Sequence, residues 1–83
     1  MATTLYVGNL PWGTTDASLA DVFRAHGSVI SSRIITDKET GRSRGFGFVE
    51  VEDSDAANMI AAMNQTELGG RTIVVNEAKP RQG

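Results

Sequence analysis

Residues 44–51 read RGFGFVEV, and this segment constrains the fold and the chemistry of the chain more than any other. Side chains alternate between the two faces of a β-strand, so Phe46, Phe48 and Glu50 share one face. A glutamate is rarely buried without a partner, which makes this face the solvent-exposed one. Two exposed phenylalanine rings next to the cation of Arg44 are typical of a surface that stacks on nucleic-acid bases.

The composition is that of one small globular domain. The 83 residues are 40% hydrophobic and 22% charged, and a chain of this length is near the lower limit for burying enough surface to fold alone. The absence of cysteine excludes disulfides and zinc–thiolate sites. Because no apolar run approaches bilayer length and no signal peptide follows Met1, we expect no membrane association and a cytoplasmic location, or a nuclear one in a eukaryote.

The charge is small in total but unevenly distributed. A net charge of −2 and a pI of about 5.2 argue against indiscriminate, charge-driven binding to duplex DNA. The cations nevertheless cluster in the middle of the chain and near its end, and these residues are Arg33, Lys38, Arg42, Arg44, Arg71, Lys79 and Arg81. An acidic chain can therefore present a basic face.

The hydrophobic pattern predicts the element order β-α-β-β-α-β. Strands are predicted over residues 5–8, 29–36, 45–51 and 71–77. Thr15 is the predicted N-cap of the first helix, and Asp53 or Ser54 that of the second. Apolar residues then recur at helical spacing, namely Leu19, Val22 and Phe23 in the first helix and Ala56, Met59, Ile60 and Met63 in the second.

This order predicts an α+β, ferredoxin-like sandwich. Right-handed crossovers place both helices on one face of a four-stranded antiparallel sheet and leave the other face open. The residues predicted to lie on the open face are Tyr6, Gly8, Arg33, Ile35, Phe46, Phe48, Val74 and Asn76. We therefore expect a ligand to bind across this face.

Two segments match known sequence motifs. Residues 44–51 fit the pattern K/R-G-F/Y-G/A-F-V-x-F/Y except at its last position, where Val51 replaces an aromatic residue and is predicted to point into the core. Residues 5–10, LYVGNL, are similar to the strand-one motif that accompanies this pattern. The chain thus resembles the RNA recognition motif family over roughly residues 4–79. Its loop at residues 37–44, DKETGRSR, is similar to those of the small single-domain bacterial members and the glycine-rich type.

The resemblance implies roles for individual residues. Tyr6 and Phe48 are expected to stack on bases, and Phe46 to contact a sugar. Arg44 is expected to pair with a phosphate. The further candidate RNA-binding residues are Arg33, Asn9, Arg42, Lys38, Asn76 and Lys79.

Several of these residues also have a simpler interpretation. The phenylalanine pair could be covered by another domain or a terminal helix, although the sequence has no spare amphipathic segment. Tyr6 could be a strand residue favoured by β-propensity, and Arg33 could pair with a cross-strand carboxylate. Lys38 and Arg42 could be solvated loop charges. Trp12, in the loop after the first strand, either flanks RNA or caps the edge of the core.

The sequence contains no recognisable catalytic or metal constellation. The segment around Gly45 and Gly47 lacks the third glycine of a dinucleotide fingerprint, and one histidine without cysteine excludes most nucleophilic and metal sites. We therefore expect no enzyme, no catalytic residue, no cofactor and no metal. An acyl-phosphate hydrolase of the same topology needs an arginine in its first loop, and residues 9–15 contain none.

The sequence predicts a monomeric, non-enzymatic module that binds single-stranded RNA, with single-stranded DNA as a second candidate ligand. Stacking of two or three bases at ~1–3 kcal/mol each predicts micromolar affinity, which suits RNA chaperoning or post-transcriptional regulation. The alternatives are a protein-interaction module and a generic single-stranded nucleic-acid binder. The module is assigned to residues 1–80, and residues 81–83 to the start of a flexible tail.

Overall fold

The computed structural model describes residues 2–41 and 43–78, and for Ser43 and Arg44 it describes the backbone only. The predictions for Arg42, Lys79 and the tail at residues 81–83 lie outside the described residues, and so does the predicted role of the Arg44 side chain. The elements, in chain order, are β1 (Ala2–Gly8), α1 (Asp16–Arg24), β2 (Val29–Thr36), β3 (Ser43–Glu52), α2 (Asp53–Met63), β4 (Glu67–Leu68), β5 (Arg71–Thr72) and β6 (Val74–Glu77).

The main sheet has four antiparallel strands in the spatial order β2-β3-β1-β6. β1 and β3 are the central strands, in a register that places Tyr6 opposite Phe48. Both helices pack on the same face of this sheet, since Phe23 of α1 and Met59 of α2 join one core with the strands. The predicted α+β, ferredoxin-like sandwich is therefore confirmed.

The core lies between the helices and one face of the sheet. Leu5 and Val7 in β1 and Val49 and Val51 in β3 are 0% exposed, so the predicted burial of Val51 is confirmed. The other buried apolar residues are Leu10, Leu19, Ala20, Phe23, Ile34, Ala56, Met59, Met63, Ile73 and Val75. Ile60, which the helical spacing assigned to the core, is only half-buried at its edge.

The fourth strand predicted over residues 71–77 is divided in two. Only β6 joins the main sheet, while β5 pairs with β4 in a separate two-stranded hairpin. Gly69 and Gly70, with φ of 58° and 86°, form the turn that folds β5 back onto β4. The backbone N–H of Ile73 donates to the carbonyl of Thr66 at 2.9 Å, so this residue is bonded on the hairpin side rather than to β1.

The two helices begin differently. Thr15 caps α1 as predicted, because its hydroxyl accepts a hydrogen bond from the Ser18 N–H at 3.1 Å and the Ser18 hydroxyl accepts one from the Thr15 N–H at 2.9 Å. The prediction of Asp53 or Ser54 as the cap of α2 is wrong. β3 leads into this helix without a loop, and the cap is Glu52. Asp53 is the first helical residue, where its negative charge is favourable to the helix dipole.

Acidic side chains near the helix starts attach both helices to the sheet region. Asp16 in α1 accepts a hydrogen bond from the Ile34 N–H on the edge strand β2 at 2.7 Å. Asp55 in α2 accepts one from the Ser28 N–H, just before β2, at 3.1 Å. These carboxylates satisfy backbone donors that the ladder leaves unpaired. Within the described ranges, neither helix is long and apolar enough to cross a membrane.

Gly47→Ala is expected to lower the free energy of unfolding by ~1–3 kcal/mol, the usual effect of overpacking. A Cβ at this position would collide with the carbonyl oxygen of Arg33 and lie 3.2 Å from the Cα of Ile34, on the paired backbone of β2. Urea unfolding followed by circular dichroism measures the change. Gly13→Ala is the matched control, because nothing lies within 4 Å of its Cβ. Equal stabilities of the two variants would contradict the close approach of β2 and β3.

Candidate nucleic-acid interface

Three aromatic side chains meet on the sheet face opposite the helices, and we call Tyr6, Phe46 and Phe48 the aromatic cluster. The ring centroids are 5.8 Å apart for Tyr6–Phe46, 6.0 Å for Tyr6–Phe48 and 6.1 Å for Phe46–Phe48, with interplanar angles of 35°, 62° and 88°. Tilted and edge-to-face contacts of this kind are attractive. The three rings therefore hold one another in position without a ligand.

The alternation along β1 and β3 explains why the rings lie on this face. Leu5 and Val7, on either side of Tyr6 in sequence, are fully buried, and so is Val49 next to Phe48. The rings must point the other way, as the sequence predicts. They are half-buried rather than fully exposed, because each ring shields part of its neighbours.

Gly8 lies under the Tyr6 ring. A Cβ built on this glycine would be 2.6 Å from the Tyr6 Oη and 2.9 Å from its Cε1. The missing side chain thus leaves the space in which the tyrosine ring lies along its own strand. Gly8 also faces Phe46 across the pairing of β1 with β3, so the space lies inside the aromatic cluster.

Arg33 lies beside the aromatic cluster on β2, where its backbone is paired opposite Phe48. A shallow groove at this edge is lined by Arg33 and Phe48 together with Ser31 and Glu50. Glu50 accepts a hydrogen bond from the Ser31 hydroxyl at 3.3 Å. Arg33 is exposed and forms no ion pair with the residues that the structure describes. The cross-strand salt bridge that was the simpler interpretation of Arg33 is therefore not observed.

Two other predicted residues occupy different surroundings. Asn76 is exposed and lies opposite Tyr6 in the pairing of β6 with β1. Lys38 is exposed in the turn after β2, where the Asp37 carboxylate accepts a hydrogen bond from the Glu39 N–H at 2.8 Å. The fold thus brings Asn76 to the aromatic cluster and leaves Lys38 in the loop beyond β2.

Asn9 directly follows β1, and its side chain forms hydrogen bonds with the β4–β5 hairpin. Its backbone is left-handed, with φ of 59°, and its side-chain Nδ2 donates to the Thr72 carbonyl at 2.7 Å. Its Oδ1 accepts a hydrogen bond from Arg71 Nη2 at 2.9 Å. Asn9 is therefore engaged within the fold. Arg71, which the sequence did not single out as a site residue, is brought to the end of the aromatic cluster by the turn of the hairpin.

Trp12 is 67% exposed, so the interpretation that it caps the edge of the core is wrong. A groove of about 300 Å³ at the end of β1 is lined by Tyr6 and Phe46 of the aromatic cluster and also by Trp12 and Arg71. The indole therefore borders the same surface as the aromatic cluster. The sequence shows Trp12 next to the strand-one motif, but its exposure depends on the path of the loop.

These features define a class of protein, a ferredoxin-like α+β domain with an aromatic sheet face that can bind planar groups by stacking. Among the residues that the structure describes, no group of three or more histidine, aspartate or glutamate side chains could hold a metal ion. Residues 5–74 match the sequence model of the RNA recognition motif. The chain belongs to the RNA recognition motif family.

The curated relatives are longer RNA-binding proteins. The chain is 52% identical over 82 residues to the glycine-rich RNA-binding protein 2, mitochondrial, of Arabidopsis thaliana. This match covers 98% of this chain and 52% of that protein. It is 50% identical over 78 residues to the 31 kDa ribonucleoprotein, chloroplastic, of Nicotiana sylvestris. That match covers 93% of this chain and 25% of the relative. The chain thus spans between a quarter and about half of the length of these relatives.

Solved structures share the fold closely. The RNA binding protein PG1 superposes with a TM-score of 0.89 at 43% identity, over 98% of this chain and 99% of that chain. The RRM of Rna15 with bound RNA (GU) superposes with a TM-score of 0.82 at 27% identity, over 93% of this chain and 83% of that chain. A domain with a similar fold has therefore been seen with RNA bound.

Gly8→Ala is expected to displace the Tyr6 ring and leave the protein folded. Its new methyl group would occupy the space of the ring, and the ring can move because it is the far end of a side chain. We expect a free energy of unfolding within ~1 kcal/mol of the parent, since alanine is less costly than glycine in a strand. Tyr6 is the only tyrosine of the chain, so its ring protons are readily assigned by NMR. Unchanged nuclear Overhauser contacts between this ring and residue 8 would contradict the placement.

Proposed function

We propose that this chain binds single-stranded RNA by stacking bases on the aromatic cluster. The observation that supports the proposal is the meeting of three half-buried rings, with centroids no more than 6.1 Å apart, on a sheet face that the two helices leave open. Membership of the RNA recognition motif family supports RNA as the ligand, and so do the RNA-binding relatives and the structural neighbour with bound RNA.

Two of the rings are proposed to stack on bases and the third to contact a sugar. Tyr6 and Phe48 lie opposite each other on the central strands and take the base-stacking role, while Phe46 meets the sugar. The mutual packing of the rings restricts their rotamers in the free protein. Binding therefore costs less side-chain entropy than it would for three separate, mobile rings.

The polar groups around the aromatic cluster are proposed to contact the RNA backbone and the base edges. Arg33 is exposed beside Phe48 and is suited to a phosphate or a base edge. Asn76, opposite Tyr6, offers an amide that both donates and accepts, as a base edge requires. The remaining predicted contacts are those of Asn9, Lys38, Arg42, Arg44 and Lys79.

The expected affinity is micromolar. Two or three stacked bases contribute ~1–3 kcal/mol each, and ordering of the RNA strand offsets part of this gain. With a net charge of −2, the chain has no overall attraction for polyanions, so stacking rather than charge is proposed to dominate the binding free energy.

The role of the whole protein is also a proposal, since the chain matches only part of its relatives. We propose a monomer without enzymatic activity that acts in RNA chaperoning or post-transcriptional regulation. The cytoplasm is the predicted location. The nucleus is the alternative predicted from the sequence, and the relatives named mitochondrial and chloroplastic add an organelle as a second alternative.

Substitutions in the aromatic cluster and in the core are expected to have opposite effects. Phe48→Ala and Tyr6→Ala should each weaken RNA binding by ~1–3 kcal/mol and change the stability little, because the rings lie outside the core. Met59→Ala should lower the free energy of unfolding by ~2–5 kcal/mol, since this side chain is 0% exposed and leaves a cavity. Fluorescence anisotropy with a random-sequence pool of RNA octamers measures binding, and urea unfolding measures stability.

Met59→Ala is the control for folding in this comparison, because Met59 is fully buried whereas the neighbouring Ile60 is only half-buried. At temperatures where Met59→Ala is folded, it should bind the RNA pool like the parent. A Phe48→Ala protein that binds like the parent would overturn the proposal and favour the protein-interaction module.

RNA is expected to bind more tightly than DNA of the same sequence by ~1 kcal/mol, about one hydrogen bond. The stacking rings do not distinguish the two sugars, but a contact of Phe46 with the sugar places the 2′-hydroxyl near the protein. Competition of one selected RNA octamer against its DNA counterpart measures the difference. Equal or tighter binding of the DNA would favour a generic single-stranded nucleic-acid binder.

A further inference from the structure

The groove at the end of β1 contains an exposed tryptophan that the core does not use. Leu10 and Trp12 lie two residues apart in the same loop, yet Leu10 is 2% exposed and fills the core while Trp12 is 67% exposed. Tryptophan is well buried in most folded proteins. The exposed indole therefore contributes little hydrophobic free energy to folding, and a ligand that covers it would gain that free energy on binding.

The same groove is lined by a cation, Arg71, that is held in place by a hydrogen bond. Arg71 Nη2 donates to the Asn9 Oδ1 at 2.9 Å, and the Asn9 amide is itself fixed by its bond to the Thr72 carbonyl. This partner is a neutral amide, and Arg71 forms no ion pair within the described residues. A guanidinium has five N–H donors, so most of its donors are left for an anion.

We propose that this groove binds one further nucleotide of the RNA strand, with its base on Trp12 and its phosphate on Arg71. The proposal rests on the proposed function and extends the binding surface beyond the sheet. Base stacking on an aromatic ring and pairing of arginine with phosphate are the two interactions that a nucleotide needs. Tyr6 and Phe46 also line the groove, so the groove and the aromatic cluster share two residues and form one continuous surface.

Asn9 has a defined part in this subsite. Its amide holds the Arg71 side chain, and its left-handed backbone turns the chain from β1 into the loop that carries Trp12. Within this subsite Asn9 is therefore a positioning residue, which acts through Arg71.

Intrinsic fluorescence provides a direct test, because Trp12 is the only tryptophan of the chain. Random-sequence RNA pools of three and of eight nucleotides are titrated into the protein, and binding is followed in parallel by calorimetry. We expect the octamer pool to quench and shift the Trp12 emission at saturation. Binding of the octamers without any change in the emission would overturn the proposal.

Variants then test the contribution of the groove to affinity. Trp12→Ala and Arg71→Gln should each weaken octamer binding about five- to tenfold, which is the effect of losing one stacked nucleotide. Trinucleotide binding should stay within about twofold of the parent. Ile30→Ala is the matched control, because Ile30 is 50% exposed on β2 and does not line the groove. Octamer affinities of the Trp12 and Arg71 variants equal to that of Ile30→Ala would overturn the proposal, as would equal losses for both RNA lengths.

A failure of this subsite is distinguishable from a failure of the proposed function. If Phe48→Ala weakens octamer binding and Trp12→Ala does not, the aromatic cluster binds RNA and the subsite is absent. If neither RNA pool binds the parent protein, both proposals are wrong. If octamer binding falls in Asn9→Ala as far as in Arg71→Gln, the positioning of Arg71 is supported, and parental binding by Asn9→Ala would contradict it.

Discussion

The antiparallel pairing of β1 with β3 is the interaction on which the rest of the molecule depends. These central strands place Leu5 opposite Val49 on the helix side and Tyr6 opposite Phe48 on the open side. Because side chains alternate, a shift of register by one residue would bring the rings into the core and the aliphatic residues into water. Burial of the aliphatic pairs therefore fixes the position of the rings, although the rings are not part of the core.

Two glycines in these strands serve the two faces separately. Gly8 leaves space for the Tyr6 ring on the open face, and Gly47 lets the backbone of β2 approach β3 on the other side of the pleat. One glycine thus shapes the surface and the other shapes the sheet. We therefore expect the glycines of the two strand motifs to differ in their effect on stability and on binding.

The sequence predicts those parts of the fold that follow from alternation and helical spacing. The faces of β1 and β3, the bounds of β2 and the Thr15 cap are set by neighbours within a few residues, and all of them agree with the structure. The cap of α2 was misplaced at Asp53 or Ser54 because a strand that leads directly into a helix gives no loop signal. The predicted last strand is split into β5 and β6 because the backbone of Ile73 forms hydrogen bonds with residues before the hairpin. The hydrophobic periodicity of the sequence does not predict such contacts.

The aromatic cluster was predictable for the same reason as the sheet, whereas the groove beside it was not. Tyr6, Phe46 and Phe48 lie on strands whose burial pattern fixes their direction. Trp12 and Arg71 lie 59 positions apart in sequence and line the same groove only because the β4–β5 hairpin folds back toward the end of β1. Asn9 makes this meeting specific, since its amide bonds to both residues of β5.

The four residues after β1, residues 9–12, each have a different role. The left-handed backbone of Asn9 stops the central strand, and Leu10 returns to the core, where its N–H donates to the Gly45 carbonyl at 2.8 Å. Pro11 cannot extend the ladder, and Trp12 is left in solvent. The burial of Leu10 and its hydrogen bond to Gly45 hold the start of this loop beside the aromatic cluster. The loop therefore extends the proposed binding surface beyond the aromatic cluster, and no additional strand is needed for this extension.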